Sequence, residues 1–204
     1  NKMPGKLVYY DVNGRAECIR SLLAHAQFQY DDDRPMDLVE YKAQGINPYG
    51  GWPIWIEDGF TMNQSNAILR MLGIRLGYYT EDPDVAYQID SMCDFIEDVV
   101  DIYFAYQLPH LVFKRDLGDE DTWFSKFWDR YLGVMEARLS DHGKKFIAGT
   151  ERPTIADFKA AIFWPLVFVD SPENTYPQAV RDRLMQKAQS EAPHFLRWSE
   201  TMKQ

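Results

Sequence analysis

Apolar and polar positions follow two different rhythms along this chain. Up to about residue 80 they form short runs broken by turn residues; from Val85 onward they step by three or four. Leu7-Val8-Tyr9-Tyr10 is a β-prone run that Asn13-Gly14 closes. Ile19, Leu22, Leu23 and Ala26 then fall at helical spacing, and Phe28-Gln29-Tyr30 reads as a second strand leading into Asp31-Asp32-Asp33. Residues 35–48 look irregular or weakly helical. Pro53-Ile54-Trp55-Ile56 and Phe60-Thr61-Met62 flank Asp58-Gly59, the strongest short hairpin signal, because Gly accepts the positive φ of a type I′ turn. A helix follows, with Ser65 or Asn66 as its cap.

The resulting order, β-α-β-α-β-β-α, is that of a thioredoxin-like domain with a mixed sheet. Residues 77–83 read as a linker. Beyond it Val85, Ile89, Met92, Cys93, Ile96, Val99, Val100 and Tyr103 mark one face of a long amphipathic helix, which Pro109 ends or kinks. A second helix is predicted over 122–139, with Gly143 and Gly149 punctuating the chain after it. Thr154-Ile155-Ala156-Asp157 has the spacing of a capping box, with Thr154 as cap and Asp157 reaching back to its amide. More helix is expected over 178–188 and at the C-terminus. The predicted domains are 5–80, α/β, and 84–204, all-helical.

Composition narrows the function classes. The 204 residues carry 22 Lys and Arg against 31 Asp and Glu, a net charge of −9. No run of four basic residues occurs, so neither phosphate backbone nor an anionic membrane is an expected partner. The longest apolar run, residues 160–169, is interrupted by Pro165 and falls short of the ~20 residues of a membrane span. Residues 1–5 lack the apolar core of a signal peptide, and Met3 is the expected natural start. Cys18 and Cys93 make no CxxC or zinc spacing, and the four histidines make no HExxH, so a reduced cytoplasmic protein without metal is the expectation. The aromatic content, 6 Trp, 12 Tyr and 12 Phe, fits either a bulky core or an apolar pocket that also needs polar tips.

Three places carry candidate chemistry. Gln64-Ser65 at a helix start can hold a carboxylate with a hydroxyl, an amide and free backbone N–H groups, or Ser65 is a plain cap. Trp52-Pro53, if cis, turns the backbone of Trp52 outward to pair with a peptide-like ligand. Tyr9, beside Gly14-Arg15, is either core packing or a phenol donor; a donor bonded to a thiolate lowers the thiol pKa. A shift of ~2 units, worth about 2.7 kcal/mol, makes a thiol of pKa near 8.5 mostly nucleophile at neutral pH.

Together these segments resemble a family. Tyr9-Tyr10-Asp11-Val12-Asn13-Gly14-Arg15-Ala16-Glu17-Cys18-Ile19-Arg20 resembles the first strand and helix of the tyrosine-type cytosolic glutathione transferases, in which a catalytic Tyr precedes a Gly-Arg-Ala-Glu run. Tyr49-Gly50-Gly51-Trp52-Pro53 resembles their loop before a cis-proline, and Asn63-Gln64-Ser65-Asn66-Ala67-Ile68-Leu69-Arg70 is similar to their γ-glutamyl-binding turn. Thr154-Ile155-Ala156-Asp157-Phe158 resembles the capping box of their helical domain. The resemblance spans essentially the whole chain and looks closest to the mu/pi/sigma branch.

It implies a thioredoxin-like glutathione-binding domain followed by an all-helical domain carrying the second-substrate site. It also implies a cytoplasmic homodimer that conjugates glutathione, as cosubstrate, to small apolar electrophiles in detoxification. Tyr9 would donate to the glutathione sulfur, with Arg15 supporting it. Trp52, at the cis Pro53, would pair with the cysteinyl segment, Gln64 and Ser65 would hold the γ-glutamyl carboxylate, and Asp98 would reach the γ-glutamyl amine across the dimer. Tyr10, Val12, Tyr103, Phe104 and Tyr106 would line the second-substrate site, and Tyr49 matches an aromatic key between subunits. Read without the resemblance, the acids Asp90, Asp94, Glu97, Asp98 and Asp101 make a solvated helix face.

The family's Trp and Lys that hold the glycyl carboxylate are missing. Leu38 and Gln44 stand near those places, Gly51 stands where Gln or Lys is common, and Lys42 or Tyr41 would substitute. Cys18 replaces the more usual Pro or Ala. These departures keep open a non-catalytic scaffold or structural subunit of the same fold. A glutathione-dependent isomerase of the prostaglandin D synthase type is the other alternative.

Overall fold

A computed structural model describes residues 5–47, 49–102, 128–143, 145–163 and 178–203. Two compact units divide the chain, residues 1–80 and 81–204.

The first unit is a four-stranded mixed sheet in the order β2-β1-β3-β4. Its elements run β1 (Lys6–Val8), α1 (Glu17–His25), β2 (Asp31–Asp33), α2 (Val39–Ala43), β3 (Ile54–Glu57), β4 (Phe60–Asn63) and α3 (Ser65–Leu76). β1 pairs parallel with β2 and antiparallel with β3, and β3 pairs antiparallel with β4. Leu7, Val8, Ile54 and Trp55 put 0% of their surface in water, so the two central strands read as continuous apolar runs. Asp58 and Gly59 both take positive φ (52° and 76°), as the I′ hairpin requires.

Two sequence expectations need correction. The second strand is Asp31–Asp33, not residues 28–30. The amide of Phe28 instead bonds back to the carbonyl of Leu23 (2.9 Å), which closes the end of α1, and sheet pairing starts where the amide of Asp31 meets the carbonyl of Gly5 (2.9 Å). Lys6 balances the acidic strand, 3.2 Å from Asp31 and 3.7 Å from Asp33. Three acids also suit an edge strand, because charge discourages pairing with another chain. The cap of α3 is Gln64, with φ 71° and ψ 109°; Ser65 is the first helical residue.

The second unit holds α4 (Pro83–Ile102), α5 (Arg130–His142), α6 (Ile155–Ala160), a 3-10 turn (Ala161–Phe163), α7 (Gln178–Glu191) and α8 (Pro193–Met202). α4 starts two residues before Val85: the Asp82 carboxylate accepts the amides of Asp84 (2.9 Å) and Val85 (3.2 Å), and Pro83 enters the first turn, where a missing N–H costs nothing. Ile89, Met92, Cys93, Ile96, Val99 and Val100 form its buried face, as the periodicity predicts. Lys159, 0% exposed, is balanced by Glu97 of α4 at 2.5 Å.

The Thr154/Asp157 capping box forms. One oxygen of the buried Asp157 accepts the amide (2.8 Å) and hydroxyl (3.1 Å) of Thr154, and the other accepts the amide of Ile147 (3.0 Å) and the indole N–H of Trp198 (2.9 Å). Burial pushes the Asp157 carboxyl up, and these donors oppose it. The box therefore ties the start of α6 to the preceding loop and to α8. Of the helix expected over 122–139, residues 122–127 lie outside the described ones.

Candidate glutathione site

Tyr9 extends β1 by one residue, its amide bonded to the carbonyl of Asp33 at 3.1 Å. Its side chain is 6% exposed, and its hydroxyl oxygen accepts the backbone N–H of Arg15 at 3.3 Å. Close approach makes this possible: a Cβ on Gly14 would lie 2.7 Å from the hydroxyl oxygen. Burial raises the phenol's pKa above its ordinary value of 10.0, opposed by the Arg15 N–H and the charges of Arg15 and Arg20. Tyr9 is thus a neutral phenol at physiological pH. Its own hydrogen has no acceptor among the described residues.

Arg20 holds the loop around Tyr9 in place, a role sequence reasoning missed. It is 5% exposed and donates to the carbonyls of Val12 and Tyr10, both at 3.3 Å, and to Asp32 at 3.2 Å. Its guanidinium lies 5.9 Å from the Tyr9 ring centroid. The available signal was an arginine between Ile19 and Leu22, on the apolar face of α1.

The Trp52-Pro53 peptide is cis. The N–H and C=O of Trp52 have no hydrogen-bond partner among the described residues. A relay of two asparagines, also missed from sequence, braces this loop. Asn63 donates to the side chain of Asn47 (2.6 Å), and Asn47 donates to the carbonyl of Gly51 (2.7 Å). Asn63 immediately precedes Gln64-Ser65, so the relay couples the loop before Pro53 to the start of α3. There the first-turn amides and the Ser65 hydroxyl, in a residue 8% exposed, form a small donor set suited to a carboxylate. Gln64 is exposed beside it.

The other expected residues fall differently. Leu38 is 1% exposed and packs with Val8 and Ile54, so it is a core residue and faces no ligand. Tyr41 donates its hydroxyl to Asp33, and its ring meets Trp52 edge-on at 6.1 Å. Lys42 and Gln44 are exposed. Gly51 is exposed too, and a Cβ there would meet nothing within 4 Å, so packing does not force the missing side chain. Tyr10 is half-buried against the Leu38 cluster and edge-on to Tyr9 at 5.8 Å, while Val12 is 54% exposed. Tyr103, Phe104 and Tyr106 lie outside the described residues. Asp98 faces Arg130 of its own unit at 3.3 Å, both largely exposed. Tyr49 is 72% exposed.

No protein-family model matches the chain. The class is set by individual relatives. The chain is 31% identical to glutathione S-transferase P of Bos taurus over 160 residues, which cover 76% of this chain and 72% of that protein. It belongs to the glutathione S-transferase family. It is also 27% identical to the hematopoietic prostaglandin D synthase of Homo sapiens over 195 residues, 78% of this chain and 94% of that one. Among solved structures it is similar to a Nu-class GST from Haemonchus contortus, at TM-score 0.69 and 25% identity, covering 97% of this chain and 96% of the other. The fold is therefore the glutathione transferase fold: a thioredoxin-like α/β domain and an all-helical domain. Among the described residues no cluster of metal-ligating side chains occurs, and no helix is long and apolar enough to cross a membrane.

Proposed function

We propose that this protein is a tyrosine-type glutathione transferase of the mu/pi/sigma kind. In it Tyr9 donates its hydroxyl hydrogen to the glutathione sulfur and holds it as thiolate. The observation that carries this reading is the state of Tyr9: buried, neutral, fixed through its oxygen by the Arg15 N–H, with its hydrogen uncommitted among the described residues. The backbone of Trp52, unpartnered among the described residues, suits a peptide-like cosubstrate, and the α3 start with Gln64 and Ser65 suits its γ-glutamyl carboxylate. The thiol proton passes to solvent before attack, and the sulfur then forms a bond to an electrophilic carbon of a small apolar substrate as a leaving group such as halide departs with its bonding electrons, or as a conjugated double bond opens and its other end takes a proton from water. Catalysis is nucleophile activation plus proximity. Lys42 is the cation this chain offers for the glycyl carboxylate. Residues 84–204 supply the apolar substrate's site, and Asp98 acts across a homodimer in the cytoplasm.

The test is the pH profile of kcat/KM for conjugation of an aryl halide. The wild type should show its acid limb about 2 units below the free thiol, near 6.5 rather than ~8.5. Tyr9→Phe should move that limb back toward the free thiol. An unmoved limb in Tyr9→Phe would remove Tyr9 from the chemistry.

The similarity to hematopoietic prostaglandin D synthases favours a second reading, a glutathione-dependent isomerase using the same Tyr9 thiolate. Product analysis separates the two: a stable thioether marks a conjugating enzyme, and a rearranged product free of glutathione marks an isomerase.

A further inference from the structure

The two asparagines that brace the loop before Pro53 form a chain with one direction. The carbonyl of Gly51 can only accept, so Asn47 turns its amide nitrogen to it at 2.7 Å. The amide oxygen of Asn47 is then left for Asn63, which donates at 2.6 Å. Flipping either amide would set two acceptors or two donors face to face. Asn47 also holds the loop through its backbone, its carbonyl accepting the amide of Gly50 at 3.2 Å. Asn63 is 8% exposed, ends β4 and stands opposite Ile54 in the ladder, next to the cis Pro53.

The ends of this chain coincide with two half-sites. One end stops at the residue before Trp52, whose N–H and C=O have no hydrogen-bond partner among the described residues. The other begins at the residue before Gln64-Ser65, where α3 opens. Gln64 takes φ 71°, a conformation that a non-glycine residue keeps only where its surroundings impose it. On one side of it Asn63 is fixed by the relay and by β4 pairing; on the other the Gln64 carbonyl accepts the amide of Ile68 at 2.9 Å. A brace that served stability alone could join any two points of this loop. This one joins the two places assigned to the cosubstrate.

We propose, on the reading that Trp52 and Ser65 hold glutathione, that Asn63 and Asn47 are positioning residues that set the spacing between these half-sites. The γ-glutamyl-cysteinyl segment then enters a preformed site and has no loop to order. Neither asparagine is assigned a contact with the sulfur, whose activation stays with Tyr9.

The test is glutathione affinity by calorimetry, with steady-state kinetics on an aryl halide beside it. Asn63→Ala should weaken glutathione binding about tenfold, because part of the binding energy then goes to ordering the loop. The KM for the aryl halide, and kcat at saturating glutathione, should stay within about twofold of wild type. Asn47→Ala should do the same. The double variant should bind within about twofold of either single one, because breaking one link of a serial chain already breaks the chain; independent roles would multiply to about a hundredfold. If Asn63→Ala fails to fold by circular dichroism, Asn63→Leu keeps the side chain's shape and reads the same loss. Unchanged glutathione affinity in the folded variants overturns the proposal, as does a multiplicative loss in the double variant or an equal rise in the KM of the aryl halide. The roles of the relay and of Tyr9 fail separately. A wild type that binds glutathione without forming thiolate removes Tyr9 only, and intact affinity in the Asn63 variants with a Tyr9-dependent thiolate removes the relay only.

Discussion

Asp157 and Tyr9 are both buried polar groups, and their surroundings differ in one respect. Asp157 receives four donors, so its two oxygens are fully engaged. Tyr9 accepts one hydrogen bond and gives none among the described residues. A satisfied buried carboxylate ties elements together, and removing it leaves several donors stranded. An unspent donor contributes little to the fold, and in the proposed function it is the group that meets the glutathione sulfur. Stability and activity should therefore separate cleanly between the two residues.

The largest effect should come from Tyr9→Phe. Loss of one donor aimed at developing negative charge costs about 10²–10³ in kcat, by analogy with oxyanion donors. Its unfolding free energy should fall by less than about 1 kcal/mol, because the phenol's net hydrogen bond is weak. Steady-state kinetics and urea titration on one preparation read both. A loss of several kcal/mol of stability would make Tyr9 a structural residue like Asp157.

Asp157→Ala should invert the pattern. Stranding the amides of Ile147 and Thr154 and the indole of Trp198 should cost about 3 kcal/mol. That lowers Tm by roughly 6–12 °C for a chain of this size, while kcat measured well below the melt stays within about twofold. Gly14→Ala sharpens the contrast at smaller scale. A methyl 2.7 Å from the Tyr9 hydroxyl must displace it, and kcat/KM should drop about tenfold with stability changed by about 1 kcal/mol.

The pH dependence has a definite sign. Burial raises the Tyr9 pKa above 10.0, so the donor stays protonated across the neutral range and is lost only above that value. Activity should show no alkaline decline assignable to Tyr9 below pH 10; a decline near pH 8 that disappears in Tyr9→Phe would contradict the neutral-donor state. The smallest effect concerns Asp98. Its pair with Arg130 is exposed, so Asp98→Asn should change stability by less than about 1 kcal/mol. A rise in glutathione KM in that variant would support a role for Asp98 in binding.

What the sequence revealed was mostly local. The Asp58-Gly59 hairpin, the Thr154/Asp157 box and the buried face of α4 each depend on residues a few positions apart, so turn chemistry and periodicity suffice. Long-range contacts decided the rest. Asp31–Asp33 became a strand because Lys6 and Gly5 meet it across the sheet, which no propensity for three aspartates predicts. Leu38 looked like a ligand-site substitution and is core, because α2 places it on Val8 and Ile54. Tyr9 and Arg15 were legible as neighbours, yet the backbone N–H of Arg15 makes the contact. The Asn47–Asn63 relay spans 16 positions and leaves no local trace.

In the proposed function Tyr9 is the donor that holds glutathione as thiolate. The most direct measurement is thiolate absorbance in the ultraviolet while glutathione is added to wild type and to Tyr9→Phe at neutral pH. The wild type should give a saturable thiolate signal, and Tyr9→Phe should bind glutathione by calorimetry without that signal. Equal thiolate signals in both proteins, or calorimetry showing no glutathione binding to the folded wild type, would contradict it.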